Sequence, residues 1–121
     1  MIQKIKYCLF IVLIVLACGP HSENLHVTFE ILETKTEASI RGLFVVDENT
    51  IWASGSGGEV LLSNDGGKSW EINQIPDEEK NDFRSLHAWD KNRAMVFGVA
   101  GPTFGYLTEN GGESWRVVFQ D

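Results

Sequence analysis

The sequence predicts an all-β fold, a partial β-propeller of two four-stranded antiparallel blades. Three observations lead to this prediction. A unit of about 40 residues occurs twice, each copy divides into four short runs rich in β-branched and aromatic residues, and neither copy keeps a helical apolar period over three turns. Four-stranded units that repeat every 40 to 50 residues or so are typical of propeller blades.

The repeat is clearest in two glycine-rich turns. Residues 63–70 read SNDGGKSW and residues 108–115 read TENGGESW, an offset of 45. Upstream, residues 40–43 (IRGL) recur as residues 83–86 (FRSL) at an offset of 43. Because the offsets differ by two, the second copy must contain two extra residues, which we place in a loop around residues 102–103.

The runs between the turns predict the strands. In the first copy they cover residues 39–46, 50–55, 59–63 and 69–73. The second copy repeats the pattern with breaks at residues 90–92, 101–102 and 109–113. We therefore expect blade 1 over residues 39–75 and blade 2 over residues 82–121, joined by an acidic linker. One further strand is predicted at residues 27–38, which in a closed ring would pair with the final blade.

The glycine-rich turns have a chemistry that explains their composition. Asp65 and Asn110 can accept hydrogen bonds from backbone amides of their own turn, the glycines supply positive φ, and a serine fastens the exit of the turn. One large tryptophan ring per blade then packs under the hairpin. The turn positions that we expect to be structural are Ser63, Asp65, Gly67, Trp70, Thr108, Asn110, Gly112 and Trp115.

The turns resemble the Asp box of BNR-repeat propellers, found in sialidases and related proteins, whose pattern is Ser/Thr-x-Asp-x-Gly-x-Ser/Thr-Trp. The first copy fits fully, and the second carries Asn110 in place of the aspartate. The resemblance implies that the box is a folding element on the blade periphery, away from the ligand face. Its acids are therefore not candidates for catalysis.

Three longer segments extend the resemblance. Residues 41–47 read RGLFVVD, residues 51–58 read IWASGSGG and residues 61–70 read LLSNDGGKSW. Over about residues 39–119 the chain is similar to photosystem II stability and assembly factor-like proteins. The resemblance implies a non-enzymatic binding scaffold for assembly or quality control of envelope or membrane proteins. Since that family forms rings of about seven blades, two blades predict a truncated propeller, which self-association could complete.

The first 17 residues have the features of an export signal. Lys4 and Lys6 precede an uninterrupted apolar run over residues 8–16, and the small Ala17 follows. The run is about half of the roughly 20 residues that a membrane-spanning helix needs. A permanent membrane span and a short buried helix are therefore the weaker alternatives.

The signal ends on a short motif at its cleavage site. Residues 15–18, VLAC, resemble the lipobox of bacterial lipoproteins, in which the cysteine is acylated and becomes the first residue after cleavage. The resemblance implies a signal peptide over residues 1–17, a lipid anchor on Cys18 and a tether over residues 18–26. Cleavage without lipidation is the alternative. The predicted location is the bacterial cell envelope, anchored to a membrane and facing the periplasm or the outside.

Composition excludes several classes of protein. Without Lys4 and Lys6 the mature chain has 8 basic against 17 acidic residues, a formal net charge of −9, so a nucleic-acid partner is not expected. Cys8 leaves with the signal and Cys18 is consumed by the lipid, which leaves no thiol for a disulfide, a zinc site or a nucleophile. The three histidines show no ligand spacing. We therefore expect no metal and no cofactor.

Two arginines form the candidate binding site. Arg41 and Arg84 occupy the same position in the two copies, at the start of the first strand, which in a propeller lines the central channel. Two planar guanidinium groups could hold an acidic side chain or a C-terminal carboxylate of a partner protein or peptide. In the assembly-factor family an arginine-rich patch in this region binds the partner, and these two residues match it. The alternative is that each arginine satisfies carbonyls or an acid of the neighbouring blade.

A sialidase-like glycoside hydrolase fragment is the remaining alternative, which the Asp boxes also suggest. That chemistry needs an activated tyrosine, a carboxylic acid and several substrate-clamping arginines from many blades. Tyr106 is the one tyrosine of the mature chain, and we expect it on an outer strand, far from the channel. No catalytic residue is therefore predicted.

Overall fold

The computed structural model describes residues 25–99 and 101–121, and the compact unit that carries the fold is Ile31–Asp121. The predicted signal peptide, Cys18 and most of the tether lie outside the described residues. The strands are β1 (Ile40–Val45), β2 (Ile51–Gly55), β3 (Glu59–Ser63), β4 (Glu71–Gln74), β5 (Phe83–Ala88), β6 (Ala94–Gly98), β7 (Phe104–Thr108) and β8 (Arg116–Gln120). They form two antiparallel sheets, ordered β1-β2-β3-β4 and β5-β6-β7-β8, which confirms the predicted all-β pair of blades. Within the described residues, no helix has the length and apolar character that crossing a membrane requires.

The strand positions repeat at the offsets seen in the sequence. β5 and β6 begin 43 residues after β1 and β2, whereas β7 and β8 begin 45 residues after β3 and β4. The two extra residues lie in the loop between β6 and β7, residues 99–103, which corresponds to residues 56–58 of blade 1. This is the place where the sequence predicts the insertion.

The fourth strand begins later than predicted. β4 starts at Glu71 instead of residue 69, because Ser69 belongs to the preceding turn, where its backbone N–H donates to Asp65 Oδ1 at 2.8 Å. The ladder between β3 and β4 starts at the pair of Leu62 and Glu71. The strand therefore begins only once the turn has closed.

The predicted N-terminal strand does not form. Residues 27–38 pair with no strand among the described residues, so the prediction of a strand there is wrong. The partner predicted for this strand is the final blade of a closed ring, and the sheets of the described residues consist of β1–β4 and β5–β8 alone. The segment is held instead by a side-chain contact, in which the Thr36 hydroxyl donates to the carboxylate of Glu59.

Residues 31–38 nevertheless lie against blade 1 at an informative place. A methyl group added at Gly67 would lie 2.6 Å from Leu32 Cδ1. In blade 2 a methyl group at the matching Gly112 would lie 2.7 Å from Nδ2 of Asn73, which belongs to β4 of blade 1. The N-terminal segment therefore packs on the Asp-box turn of blade 1, in the same way as β4 of blade 1 packs on the Asp-box turn of blade 2.

The two blades pack against each other through one buried cluster. Trp52 is fully buried at its centre, with its ring 6.4 Å from that of Trp115 and its Nε1 donating to the carbonyl oxygen of Asp90 at 3.0 Å. Ser54 is also fully buried and donates from Oγ to the carbonyl oxygen of Phe83 at 3.1 Å. The cluster also contains apolar side chains of both sheets and of the linker, among them Val60, Leu62, Ile75, Val96 and Tyr106. The interface is therefore apolar, and the polar groups of Trp52 and Ser54 within it are hydrogen-bonded.

The outward faces of the blade pair remain partly open. On blade 1, Leu43 and Val45 are 63% and 58% exposed. On blade 2, Phe119 is 46% exposed and stands edge-on to Phe97, with ring centroids 6.0 Å apart. In repeat architectures such faces pack against neighbouring units.

Candidate functional site

The two candidate arginines both lie at β-bulges. The ladder between β1 and β2 skips Arg41, and the ladder between β5 and β6 skips Arg84 in the same way. A bulged residue leaves the regular ladder and its side chain is re-aimed, which is common beside binding sites. The repeat therefore places two bulged arginines at matching positions on the two first strands.

A glycine allows these two strands to approach each other. A methyl group added at Gly42 would lie 2.5 Å from Ser54 Oγ, 3.2 Å from Leu86 Cβ and 3.6 Å from the carbonyl oxygen of Arg84. A larger residue would therefore push β1 away from β5. Because Gly42 directly follows Arg41, the close approach brings the two arginines to the same place.

One carboxylate joins the two arginines. Asp82 Oδ2 lies 3.3 Å from Arg41 Nε and 3.7 Å from Arg84 Nη2, and we call these three residues the arginine cluster. The side chains of Arg41 and Arg84 remain 39% and 56% exposed. Each guanidinium has five N–H donors, so one shared carboxylate cannot pair with all of them. The cluster thus combines a salt bridge between the blades with unused donors.

The linker between the blades holds Asp82 in place. Its carbonyl oxygen accepts from Val99 N at 3.2 Å, and the carbonyl oxygen of the buried Asn81 accepts from Gly58 N at 3.0 Å. Asn81 Nδ2 also donates to Glu78 Oε2 at 2.9 Å. These bonds connect the linker to loops of both blades, so the backbone at Asp82 is held in position.

Sequence reasoning does not find Asp82. The residue that matches it in blade 1 is Ser39, so the repeat that reveals the arginine pair gives no signal for the acid between them. The available signal is an acid two residues before Arg84, and it occurs in one copy only. Only the packing of the two blades brings Arg41 to this acid.

The Asp boxes lie at the opposite end of the strands. Gly66 N donates to the carbonyl oxygen of Asn49 at 2.8 Å, in the turn that follows β1, whereas Arg41 lies at the beginning of β1. In blade 2 the matching bond runs from Gly111 N to the carbonyl oxygen of Asn92 at 2.9 Å. The boxes and the arginine cluster are therefore separated by most of a strand length.

Both boxes are closed by similar hydrogen bonds. In blade 1, Asp65 accepts from Ser69, with Oδ1 2.8 Å from the backbone N and Oδ2 2.6 Å from Oγ. In blade 2, Asn110 Oδ1 accepts from Ser114 N at 3.0 Å and Nδ2 donates to Ser114 Oγ at 2.9 Å. The indole N–H groups close each turn on a carbonyl at 3.0 Å, from Trp70 to Gly67 and from Trp115 to Gly112. All of these partners lie within the box, so its polar groups serve the turn.

The two boxes differ in their response to pH. The hydroxyl and the backbone N–H of Ser69 lower the pKa of Asp65 from 3.8 to about 2. Since the folded state favours the ionised form of Asp65, the ionised carboxylate stabilises the fold above about pH 4, and this stabilisation is lost as the pH falls towards 2.

We expect the difference in urea midpoint between the wild type and Asp65→Asn to become smaller as the pH falls from about 4 to 2. Asn110→Asp is the matched control, which should introduce the same pH dependence in blade 2, and a gap that stays constant would contradict the expectation.

Tyr106 forms a partly buried pair with Glu78. Its hydroxyl donates to Glu78 Oε1, and the tyrosine is only 6% exposed. Burial, followed by the Glu78 carboxylate, raises the pKa of Tyr106 above its ordinary range. The pair joins the third strand of blade 2 to the linker between the blades.

A groove elsewhere on the described residues lacks a cluster of like charges. A groove of about 220 Å³ lies at the box end of the blade pair. It is lined mainly by amides and by charges of both signs, among them Asn64, Asn73, Asn92, Lys91 and Glu113. No group of three or more potential metal ligands occurs in residues 25–99 and 101–121. The arginine cluster therefore remains the candidate site.

Two four-stranded blades, each with an Asp box at one end and a bulged arginine at the other, define a protein of the BNR-repeat β-propeller class. The family model described as "Photosynthesis system II assembly factor YCF48" matches residues 19–107, well over half of the chain. The chain belongs to this family.

The matching proteins are much longer than this chain. It is 38% identical over 55 residues to the photosystem II assembly lipoprotein Ycf48 of Synechococcus sp. (strain CC9902), and the match covers 46% of this chain but 16% of the relative. The Ycf48 of Parasynechococcus marenigrum (strain WH8102) is 39% identical over 56 residues, with the same coverage. A solved structure of YCF48 bound to a D1 peptide superposes with a TM-score of 0.61 at 25% identity, covering 74% of this chain and 29% of that one.

Proposed function

We propose that this chain binds a carboxylate-bearing segment of another protein through the arginine cluster, and that it serves in the assembly or quality control of envelope or membrane proteins. The observation that carries the proposal is the pair of bulged arginines, Arg41 and Arg84, on one oxygen of Asp82. Two guanidinium groups with unused donors match the planar geometry of a carboxylate.

The comparisons support a peptide partner and an assembly role. The chain belongs to a family described as an assembly factor, and the similar solved structure is that of YCF48 with a bound peptide. The match covers 16% of the length of these curated relatives, and we propose that this chain shares their assembly role. A non-enzymatic role fits the family description.

A pair of peptides tests the proposed function. The two share one sequence without acidic side chains, and one ends in a free carboxylate while the other is amidated. We expect the purified protein to bind the free acid at least about tenfold more tightly in fluorescence anisotropy, because only the carboxylate can receive both guanidinium groups. Equal binding of the acid and the amide would contradict the proposal.

The proposal includes a lipid anchor in the envelope. It rests on the lipobox-like residues 15–18, and relatives of the family are named lipoproteins. We expect Cys18→Ala to abolish incorporation of labelled lipid and to release the protein from the membrane fraction, because several acyl chains are needed for firm attachment. Ala17→Gly is the matched control, since it keeps a small residue before the cysteine. Continued lipid labelling of Cys18→Ala would rule out this anchor.

A further inference from the structure

We propose that Asp82 limits the arginine cluster to ligands that carry a single negative charge, and this inference rests on the proposed function. Asp82 is the internal counter-ion of both arginines, since its Oδ2 faces Arg41 Nε at 3.3 Å and Arg84 Nη2 at 3.7 Å. The three side chains together carry a net charge of +1. A single carboxylate neutralises the cluster, whereas a second negative charge on the ligand finds no unpaired cation there.

The position of Asp82 makes this charge a permanent part of the site. The residue precedes β5 directly, and its backbone carbonyl is bonded to Val99 N. The preceding Asn81 is buried and bonded to Gly58 and Glu78, so the backbone at Asp82 is held on both sides of the aspartate. An incoming anion therefore shares the guanidinium groups with Asp82.

The solvent exposure of the cluster determines how strongly it can discriminate between ligands with one and with two negative charges. The Asp82 side chain is 27% exposed, and those of Arg41 and Arg84 are 39% and 56% exposed, so water weakens each charge pair without removing it. The mature chain adds a general repulsion, because its formal net charge of −9 opposes multiply charged anions. That term is screened beyond about 8–10 Å at physiological salt, whereas Asp82 acts inside this range. Selectivity should therefore depend on this one residue more than on the overall charge.

Two peptides of equal length measure the selectivity. One carries its C-terminal carboxylate as the single anion, and the other ends in aspartate and so carries two carboxylates. We expect the wild-type protein to bind both with affinities within about threefold of each other. Asp82→Asn keeps the shape and an acceptor oxygen but leaves the cluster at +2, so we expect it to bind the dianionic peptide about tenfold more tightly relative to the monoanionic one.

Two further variants separate local from general charge. Glu109→Gln removes an exposed acid that pairs with Arg116 at 3.5 Å, away from the cluster, and should leave the ratio of the two affinities unchanged. Asp82→Glu keeps the charge and should keep the wild-type ratio. An unchanged ratio in Asp82→Asn, or an equal rise in Glu109→Gln, would overturn the inference.

The same measurements distinguish failure of this inference from failure of the proposed function. The proposed function fails if the wild type binds neither peptide. It also fails if the variant with both Arg41→Gln and Arg84→Gln binds each peptide as tightly as the wild type does. Failure of the inference alone means that binding needs the arginines while the affinity ratio ignores Asp82. Loss of both peptides in Asp82→Asn also counts against the inference, because the aspartate would then be required for binding and would not limit it.

Discussion

Replacing Trp52 by Ala is expected to lower the free energy of unfolding by about 3–5 kcal/mol, the largest effect of any substitution considered in this chain. The indole is fully buried between the blades, touches the ring of Trp115 and donates to the carbonyl oxygen of Asp90. The variant therefore leaves a cavity and an unpaired carbonyl in the interface that joins the two sheets. Since typical domains are stable by about 5–15 kcal/mol, urea denaturation followed by circular dichroism should show a large fall in the midpoint.

The repeat supplies a matched control for this prediction. Met95 occupies the position of Trp52 in blade 2, 43 residues later, and is only partly buried. Met95→Ala should therefore cost clearly less, about 2 kcal/mol or under. Trp52→Phe keeps most of the packing and should cost about 1 kcal/mol for the lost hydrogen bond, plus the smaller change in volume. Equal losses for Trp52→Ala and Met95→Ala would contradict the role of Trp52 at the blade interface.

Reversing the charge of both arginines is expected to have the largest effect on binding. Arg41→Glu combined with Arg84→Glu should weaken capture of the free-acid peptide by about a hundredfold, which corresponds to about 2.7 kcal/mol. The reason is that three acidic groups would then face the ligand carboxylate in place of two guanidinium groups and one aspartate. Fluorescence anisotropy measures the loss, and circular dichroism should show an unchanged β spectrum.

An equal change of charge elsewhere is the control. Arg93→Glu combined with Arg116→Glu alters the net charge by the same amount. Arg116 lies on β8, the strand after the second Asp box, and pairs with Glu109. This variant should bind the peptide nearly as well as the wild type. A comparable loss of binding in both double variants would assign the effect to net charge, and unfolding of the Arg41 and Arg84 variant would assign those residues to the structure of the blade interface.

Most of the fold could be predicted because the residues that form the turns interact with residues close to them in the sequence. The glycines of the box have positive φ, 71° and 89° at Gly66 and Gly67, and Asp65 closes the turn on Ser69 four residues later. Such contacts depend on short spacing alone, so the sequence predicts where the hairpins turn. The segment over residues 27–38 was different, because a strand there would depend on a partner far along the chain.

The candidate site was predictable in part for the same reason. The repeat places Arg41 and Arg84 at matching positions, and this needs no knowledge of packing. That both are bulged residues depends on the register between strands, and that Asp82 lies between them depends on how blade 2 packs on blade 1. Tyr106 shows the limit most clearly, since its partner Glu78 lies 28 residues earlier, in the linker between the blades.

The most direct test of the arginine cluster as a carboxylate site is a double-mutant cycle between protein and ligand. Binding of the free-acid and the amidated peptide is measured for the wild type and for Arg41→Gln combined with Arg84→Gln. The predicted result is that the preference for the free acid, about tenfold or more in the wild type, disappears in the variant, because the carboxylate and the arginines then act as one interaction. A preference that stays the same in the variant would show that the carboxylate is bound elsewhere on the protein.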